Sequence, residues 1–294
     1  MSRRYRLEEE RAKQATNDLQ DEIDKMKLQK ERIFGPLIWR RLTSGFRIQD
    51  LKPQYYEQVL DMIIEHFIHE DVVLRNSNFA EDTDSIKSFR EKLLHTMKDQ
   101  SSIIAIDESN EEIAGVLLLK AVKKCDFGRV FSRVQLSEGK IYQSVIGFMN
   151  FLNRKVDVFE HYQCEVFLRY YLLCINPEYR RKALGWQLMD TGLDIARHLK
   201  IPVIMAIMDC CKLQKMGQKL GMETLFEIEY VKWRDKYEEL IFCDPGAGNY
   251  TCALMAGRVK QPVIEEPTEV PEDLTSKTKL TRAEKRKAKQ KGKK

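Results

Sequence analysis

Long apolar runs are missing from this 294-residue chain. None approaches the ~18–20 residues that a membrane span needs. The opening stretch MSRRYRLEEERAKQ has no apolar centre, so no secretory leader is expected there. Cysteine is present but unorganised: seven residues, an odd number, without a CxxC or a ladder of spacings. That pattern argues against a disulfide scaffold or a zinc site and for reduced thiols in a cytoplasmic or nuclear setting. No internal repeat is visible. Membrane-spanning, secreted and collagen-like classes are excluded on these absences.

Apolar residues at 43% are enough for a real core, while charged residues at 32% exceed the usual ~25%, so part of the chain is expected outside that core. The charge is unevenly placed. Residues 275–294 carry a net +9, residues 263–274 a net −5, and residues 1–262 only +1. The body is therefore nearly neutral and the basic character belongs to a tail. Residues 261–294 read as an acidic then basic low-complexity segment, suited to weak binding of acidic surfaces or to a nuclear address, with a merely solvated tail as the alternative. Residues 1–33 read as a charged helix with a thin seam at Ala12, Leu19, Met26 and Ile33, ended by Gly35-Pro36. That helix is expected to dock on the body or on a protein partner; a frayed extension is the alternative.

From residue 34 to 260 the texture is that of one domain of alternating strands and helices. GFRIQDL reads as a strand, and Pro53 opens a helix with Tyr56, Leu60, Ile63 and Phe67 on one face. Asp84 is positioned to cap a second helix. SIIAID and IAGVLLLKAV form a hairpin, and IYQSVIGFMNFLNRKVDVFEHY reads as one long helix. Strand VFLRYYLLCI, loop NPEYRRKALG, helix WQLMDTGLDIARHLK, strand IPVIMAIMD, helix CKLQKMGQKLG and strands METLFEIEYV and YTCALMAGRV complete the order. Strands interleaved with helices imply a mixed sheet with helices on its faces.

The stretch from Leu172 to Leu188 is where chemistry is most legible. A buried strand, a Pro-led turn, the cations Arg180, Arg181 and Lys182, the small Ala183, then Leu184, Gly185 and Trp186 opening a helix, make a plausible cradle for an anion such as a pyrophosphate. On spacing alone, an ordinary strand-to-helix loop with solvated cations is the stronger reading, because one glycine is a weak signal. Cys210-Cys211 offers Cys210 as a candidate catalytic thiol, although with no neighbouring histidine in sequence a structural thiol is the stronger reading. His66 and His69 read as helix-end histidines, with no metal ligand set in view.

YRRKALGWQL resembles motif A of the GNAT superfamily of acetyl-CoA-dependent N-acetyltransferases, with Arg180 in its first position, Ala183 in place of the first glycine and Gly185 as the second. KMGQKLGMETLFEIEY is similar to the family's second block; Lys219, Leu220 and Gly221 match, and Met222 replaces a phenylalanine. Within the superfamily, FRIQDLKPQYYEQVLDMIIEHFIHEDVVL and VDVFEHY resemble the insect-type arylalkylamine N-acetyltransferases. The resemblance implies the GNAT α/β fold, a mixed central sheet flanked by helices. It implies acetyl-CoA as co-substrate, held by the backbone near Leu173, Cys174 and Ile175 and by the amides from Arg181 to Trp186. It implies a small arylalkyl amine that attacks the thioester directly. Asp71 falls on the subfamily's general-base position, with Glu70 adjacent and Val72 replacing a proline. Cys210 and Leu213 occupy positions where the subfamily has serines, and Gly217 the position of a tyrosine used elsewhere in the superfamily. A catalytically degenerate scaffold of the same fold is the alternative. The loops within residues 70–83 and 124–145 are expected to line the amine pocket.

Overall fold

In the computed structural model, residues 35–126, 139–234 and 240–260 are described. The N-terminal helix and the acidic-basic tail expected from the sequence lie outside them. Eight strands form one sheet: β1 (Ile38–Arg41), β2 (Phe46–Asp50), β3 (Ile103–Asp107), β4 (Ile113–Lys123), β5 (Val166–Ile175), β6 (Val203–Met208), β7 (Glu223–Glu229) and β8 (Thr251–Arg258). Their order is β1-β2-β3-β4-β5-β6-β8-β7, antiparallel throughout except for the central β5–β6 pair. A parallel pair needs a crossover, and the helix α6 (Leu184–His198) supplies it.

The remaining helices divide between the two faces of the sheet. α1 (Tyr56–Met62) runs on through a π-helical turn (Ile63–Phe67) into a last turn (Ile68–Glu70). Then come α2 (Val72–Asn76), α3 (Thr83–Met97), α4 (Lys140–Lys155), α5 (Val158–Tyr162) and, after α6, α7 (Cys211–Lys219). One core lies under α1, α3 and α4, with Val59, Phe79, Phe89, Phe148, Val116 and Leu118 sealed in it. A second lies under α6, where Leu188 and Ala196 meet Leu117, Leu119, Leu168 and Ile204. Strands buried on both faces explain why β3, β4 and β6 read as nearly continuous apolar runs.

Three local expectations are corrected. The single long helix is two, because Val156 is extended and the Asp157 carboxylate accepts from the N–H groups of Phe159 (2.9 Å) and Glu160 (3.2 Å), capping a new helix. The cap of α3 is Asp82, not Asp84; Asp82 accepts from the N–H groups of Asp84 and Ser85. Strand β1 was not expected at all. It is held by distant groups: Trp39 Nε1 donates to Asp50 (2.8 Å), and Arg40 bridges Asp190 (2.6 Å) and Asp194 (2.5 Å) on α6.

Replacing Arg40 with alanine leaves Asp190 without its counter-ion, one helical turn from Asp194, which keeps Arg197 at 2.8 Å. We expect Arg40→Ala to cost about 1–2 kcal/mol in urea unfolding, since charge-assisted bonds at a partly buried site exceed exposed pairs.

Candidate active site

The central parallel pair is joined over three residues and then parts. Leu168, Arg169 and Tyr170 face Ile204, Met205 and Ala206, while Tyr171 to Ile175 continue without a partner on the β6 side. A bulge between Leu118 and Leu119 on β4 leaves Tyr171 as the extra residue of β5 and turns the strand at this point. The gap opens into a cavity of about 420 Å³ that passes from one core to the other: Leu173, Met189 and Leu213 line it on the α6 side, Phe89, Tyr142 and Val145 on the α3–α4 side. Of the loops expected to line it, residues 70–83 contribute Asp71 and Leu74 and residues 124–145 contribute Tyr142 and Val145; residues 127–138 lie outside the described part.

Two carboxyl groups, those of Asp71 and Asp209, line the cavity. Asp71 ends the helix begun by α1, caps α2 through the N–H of Leu74 (2.8 Å) and lines the cavity. Asp209 follows β6, is only 7% exposed, and accepts from the N–H of Val72 (3.0 Å). Tyr230 donates its hydroxyl to the Asp209 carbonyl (2.5 Å), fixing that segment. The two carboxylates serve the same short helix, Asp71 through the N–H of Leu74 and Asp209 through the N–H of Val72, which makes them neighbours on the cavity wall. Burial, and then the charge of Asp209, hold Asp71 well above the usual carboxylate range. The π-helical turn sits just upstream of Asp71 and brings Phe67 to the same wall.

The other proposed catalytic residues are placed differently. Glu70 is exposed, pairs with Arg180 at 2.7 Å and does not line the cavity. Cys210 is half-buried; burial, with Asp209 beside it, pushes its thiol up to about 12, so it stays protonated. A Cβ at Gly217 would meet Met208 and Met255 at 3.3 Å, so core side chains fill that position.

The expected cofactor residues come together at the open ends of β5 and α6. Arg180 donates to the Ile175 carbonyl (3.2 Å) as well as to Glu70, and Lys182 lies over the rings of Phe46 (5.2 Å) and Tyr179 (5.1 Å). Arg181 and Ala183 have φ of 64° and 58°, the left-handed region where glycine is at ease. Ala183 is the N-cap of α6 and has no side chain to cap it, which leaves the first-turn N–H groups for another acceptor. A Cβ at Gly185 would meet Leu173, Ile175 and Met216 at 3.5–3.8 Å, ordinary contacts. The chain itself therefore does not require glycine there. Trp186, with Leu173, Ile175 and Met216, packs on the α6 core. Leu184 is buried, and Cys174 faces the opposite core, its thiol pushed up to about 12 by burial.

Beyond the carboxyl pair the cavity changes sign. Lys120 and Arg169 stand opposite one another on β4 and β5, and both line it. Arg169 Nε is sealed from water without a hydrogen-bond partner among the described residues, and so is Oδ1 of Asn153, another lining residue. Asp209 and Arg169 are the site residues whose roles the sequence did not disclose. A cation inside VFLRYYLLCI was a visible signal for the latter; Asp209 was visible only as a residue before Cys210.

Two outcomes follow from this geometry. Ala183→Gly relieves a left-handed alanine and should stabilise the fold by about 0.5–1 kcal/mol in urea unfolding, the gain being reduced by glycine's freedom in the unfolded chain. Because Asp71 is raised in the folded chain, its contribution to stability is complete below the ordinary carboxylate range and is lost as pH rises through the raised value. Asp71→Asn, which keeps an acceptor for Leu74, should raise the thermal midpoint at pH 8 by about 2–4 °C, or about 1 kcal/mol. At pH 5 the gain should be smaller.

No family model and no curated protein matches the chain at the level of sequence. Solved structures do match in fold. Arylalkylamine N-acetyltransferase 2 from Aedes aegypti superposes with a TM-score of 0.68 at 19% identity, over 74% of this chain and 100% of that one. A mosquito arylalkylamine N-acetyltransferase like 5b gives 0.63 at 18% identity, over 72% and 99%. The polyamine N-acetyltransferase of Drosophila melanogaster, which catalyses formation of N-acetylagmatine, gives 0.61 at 15% identity, over 72% and 99%. The likeness extends over nearly the whole of each of those chains, and the chain has the fold of the GNAT N-acetyltransferases, a mixed sheet flanked by helices.

Proposed function

We propose that the protein is an acetyl-CoA-dependent N-acetyltransferase that acetylates a small primary amine by direct attack. The observation that carries this reading is the parted β5–β6 pair, whose gap opens onto the neighbouring carboxyls of Asp71 and Asp209. The residues at the gap fit the co-substrate: unpaired backbone of Tyr171 to Ile175 on the β6 side, the uncapped turn at Leu184, Gly185 and Trp186, and Arg181 at the surface. Bound acetyl-CoA would supply the thioester carbonyl carbon that the amine attacks.

An alkyl ammonium is protonated at neutral pH and must lose a proton before it can attack. Asp71, on the cavity wall beside Asp209, is the carboxyl group placed to accept the amine's proton directly or through a water. Burial makes the Asp71 carboxylate a better base than a solvated one, since its protonated form is favoured. The free backbone N–H groups of β5 beyond Tyr170 supply donors for the oxygen that gains charge. A thiolate leaves without strong acid assistance, which fits a site where Gly217 offers no hydroxyl and Cys210 stays a thiol. The arylalkylamine and polyamine acetyltransferases that share the fold support a small-amine acceptor.

Saturation with acetyl-CoA at about 100 times its dissociation constant should stabilise the fold by about 2.7 kcal/mol, read as an upward shift of the thermal midpoint. Gly185→Glu, which places bulk and negative charge in front of α6, should abolish the shift. No shift at millimolar acetyl-CoA would refute the proposal. A shift without acetylation of any amine in a broad panel would instead mark a binding scaffold of this fold.

A further inference from the structure

The cationic end of the cavity has no partner for its charge within the described chain. Lys120 and Arg169 are directly opposite on neighbouring strands, an arrangement that destabilises a sheet unless something neutralises it. Neither forms an ion pair with a carboxylate among the described residues; the group facing the Arg169 guanidinium is the Tyr171 ring, at 5.4 Å. Glu91, a third carboxylate on the lining, is exposed and pairs with neither. Burial holds Arg169 below the usual arginine value, so the strand bears a real cost for this cation. Its Nε has no acceptor among the described residues, although it is sealed inside the cavity wall. A buried charge without a partner costs several kcal/mol, and a planar guanidinium is the group best matched to a carboxylate.

The position of Arg169 relative to the reacting centre sets the shape of the ligand. Arg169 is in register with Met205, and Asp209 lies four residues further along the same direction. At about 3.3 Å per residue the two backbones are on the order of 13 Å apart. Tyr171 and Ile207, both on the lining, fall between them. The opposing charges therefore stand at two ends of one chamber with an apolar and aromatic middle.

We propose that the acceptor is a primary amine carrying a carboxylate several bonds from its nitrogen, an ω-amino acid in chemical class, with the nitrogen at Asp71–Asp209 and the carboxylate on Arg169, supported by Lys120. This rests on the acetyltransferase reading and names the substrate class of the same site. The ammonium first gives one proton to Asp71; the nitrogen then forms the new bond to the acetyl carbon, the carbon–sulfur bond breaks to release coenzyme A as its thiolate, and the second nitrogen proton passes to that thiolate to leave the free thiol. The carboxylate takes no part in bond making; Arg169 is a specificity-determining residue.

Matched acceptors that differ only in the remote group test it: 6-aminohexanoate, hexylamine and 1,6-diaminohexane, with 4-aminobutyrate, butylamine and putrescine as the shorter set. The expected result is at least a tenfold higher kcat/KM for the amino acid of one set than for its neutral amine, expressed mainly in KM, with the diamine poorest. Arg169→Gln should erase the preference and Arg169→Lys should keep part of it. The acetyl-CoA midpoint shift in each variant shows that it has folded. Titration calorimetry of 6-aminohexanoate and 4-aminobutyrate into the protein with coenzyme A present reads the same preference without turnover. Equal kcat/KM across both sets, or preference for the diamines, with the acetyl-CoA shift intact, overturns the inference and leaves the acetyltransferase reading standing. So does a preference for hexylamine with succinyl-CoA over acetyl-CoA, which would assign Arg169 to an acyl carboxylate. Absence of any acetyl-CoA shift is the failure of the underlying reading, and calorimetry on the protein alone then decides the carboxylate site separately.

Discussion

A sheet that stops pairing in its interior must satisfy its backbone elsewhere. Here β5 and β6 are joined over three residues, after which β5 continues to Ile175 with one side unpaired. Everything at the site follows from that parting. The gap admits a cavity through what would otherwise be a closed layer, joins the two cores, and exposes strand backbone at a place where no edge strand belongs. The bulge at Tyr171 on the other flank of β5 bends the strand so that the parting is sustained rather than closed by small shifts. The parallel crossover through α6 then directs the N-terminus of that helix at the opening.

The environment of the gap is dry and acidic at once. Asp71 is raised, and the thiols of Cys210 and Cys252 and the hydroxyl of Tyr230 are all held in their neutral forms chiefly by burial. In such a place the neighbouring nucleophiles carry no charge. Two centres of opposite sign at either end of one cavity make a field that orients a dipolar guest and rejects one with the charges reversed.

Much of the fold was legible in the sequence because its strands are buried on both faces. Runs such as SIIAID, VFLRYYLLCI and IPVIMAIMD announce themselves without any knowledge of their neighbours. What was not legible depends on partners remote in the chain. IWRR is too short and too polar to read as a strand; Arg40 acquires its meaning from Asp190, 150 residues later. The break between α4 and α5 turns on a side chain that folds back on its own backbone, which apolar periodicity does not register. At the site, Asp71 and Gly185 could be named from resemblance to known motifs. Asp209 could not be joined to Asp71, because only the fold brings its carboxyl to the N–H of Val72, 137 residues away in sequence. The left-handed conformation of Ala183 was equally hidden, since a glycine-to-alanine change looks like a weakened motif until the backbone angle shows that its conformation has been kept at a cost.

The ion pair between Arg180 and Glu70 has a mechanical side. It ties the loop leading into α6 to the end of the first helical segment, and Glu70 is the covalent neighbour of Asp71. Arg180 also grips the Ile175 carbonyl, so one guanidinium holds the end of β5, the loop and the helix end together as a strut. Whatever stiffens that loop also stiffens the residue beside the acid. By linkage the effect runs both ways: a ligand that orders the mouth of the gap lowers the entropic cost of ordering its interior, and a guest seated in the interior makes the mouth a better receptor.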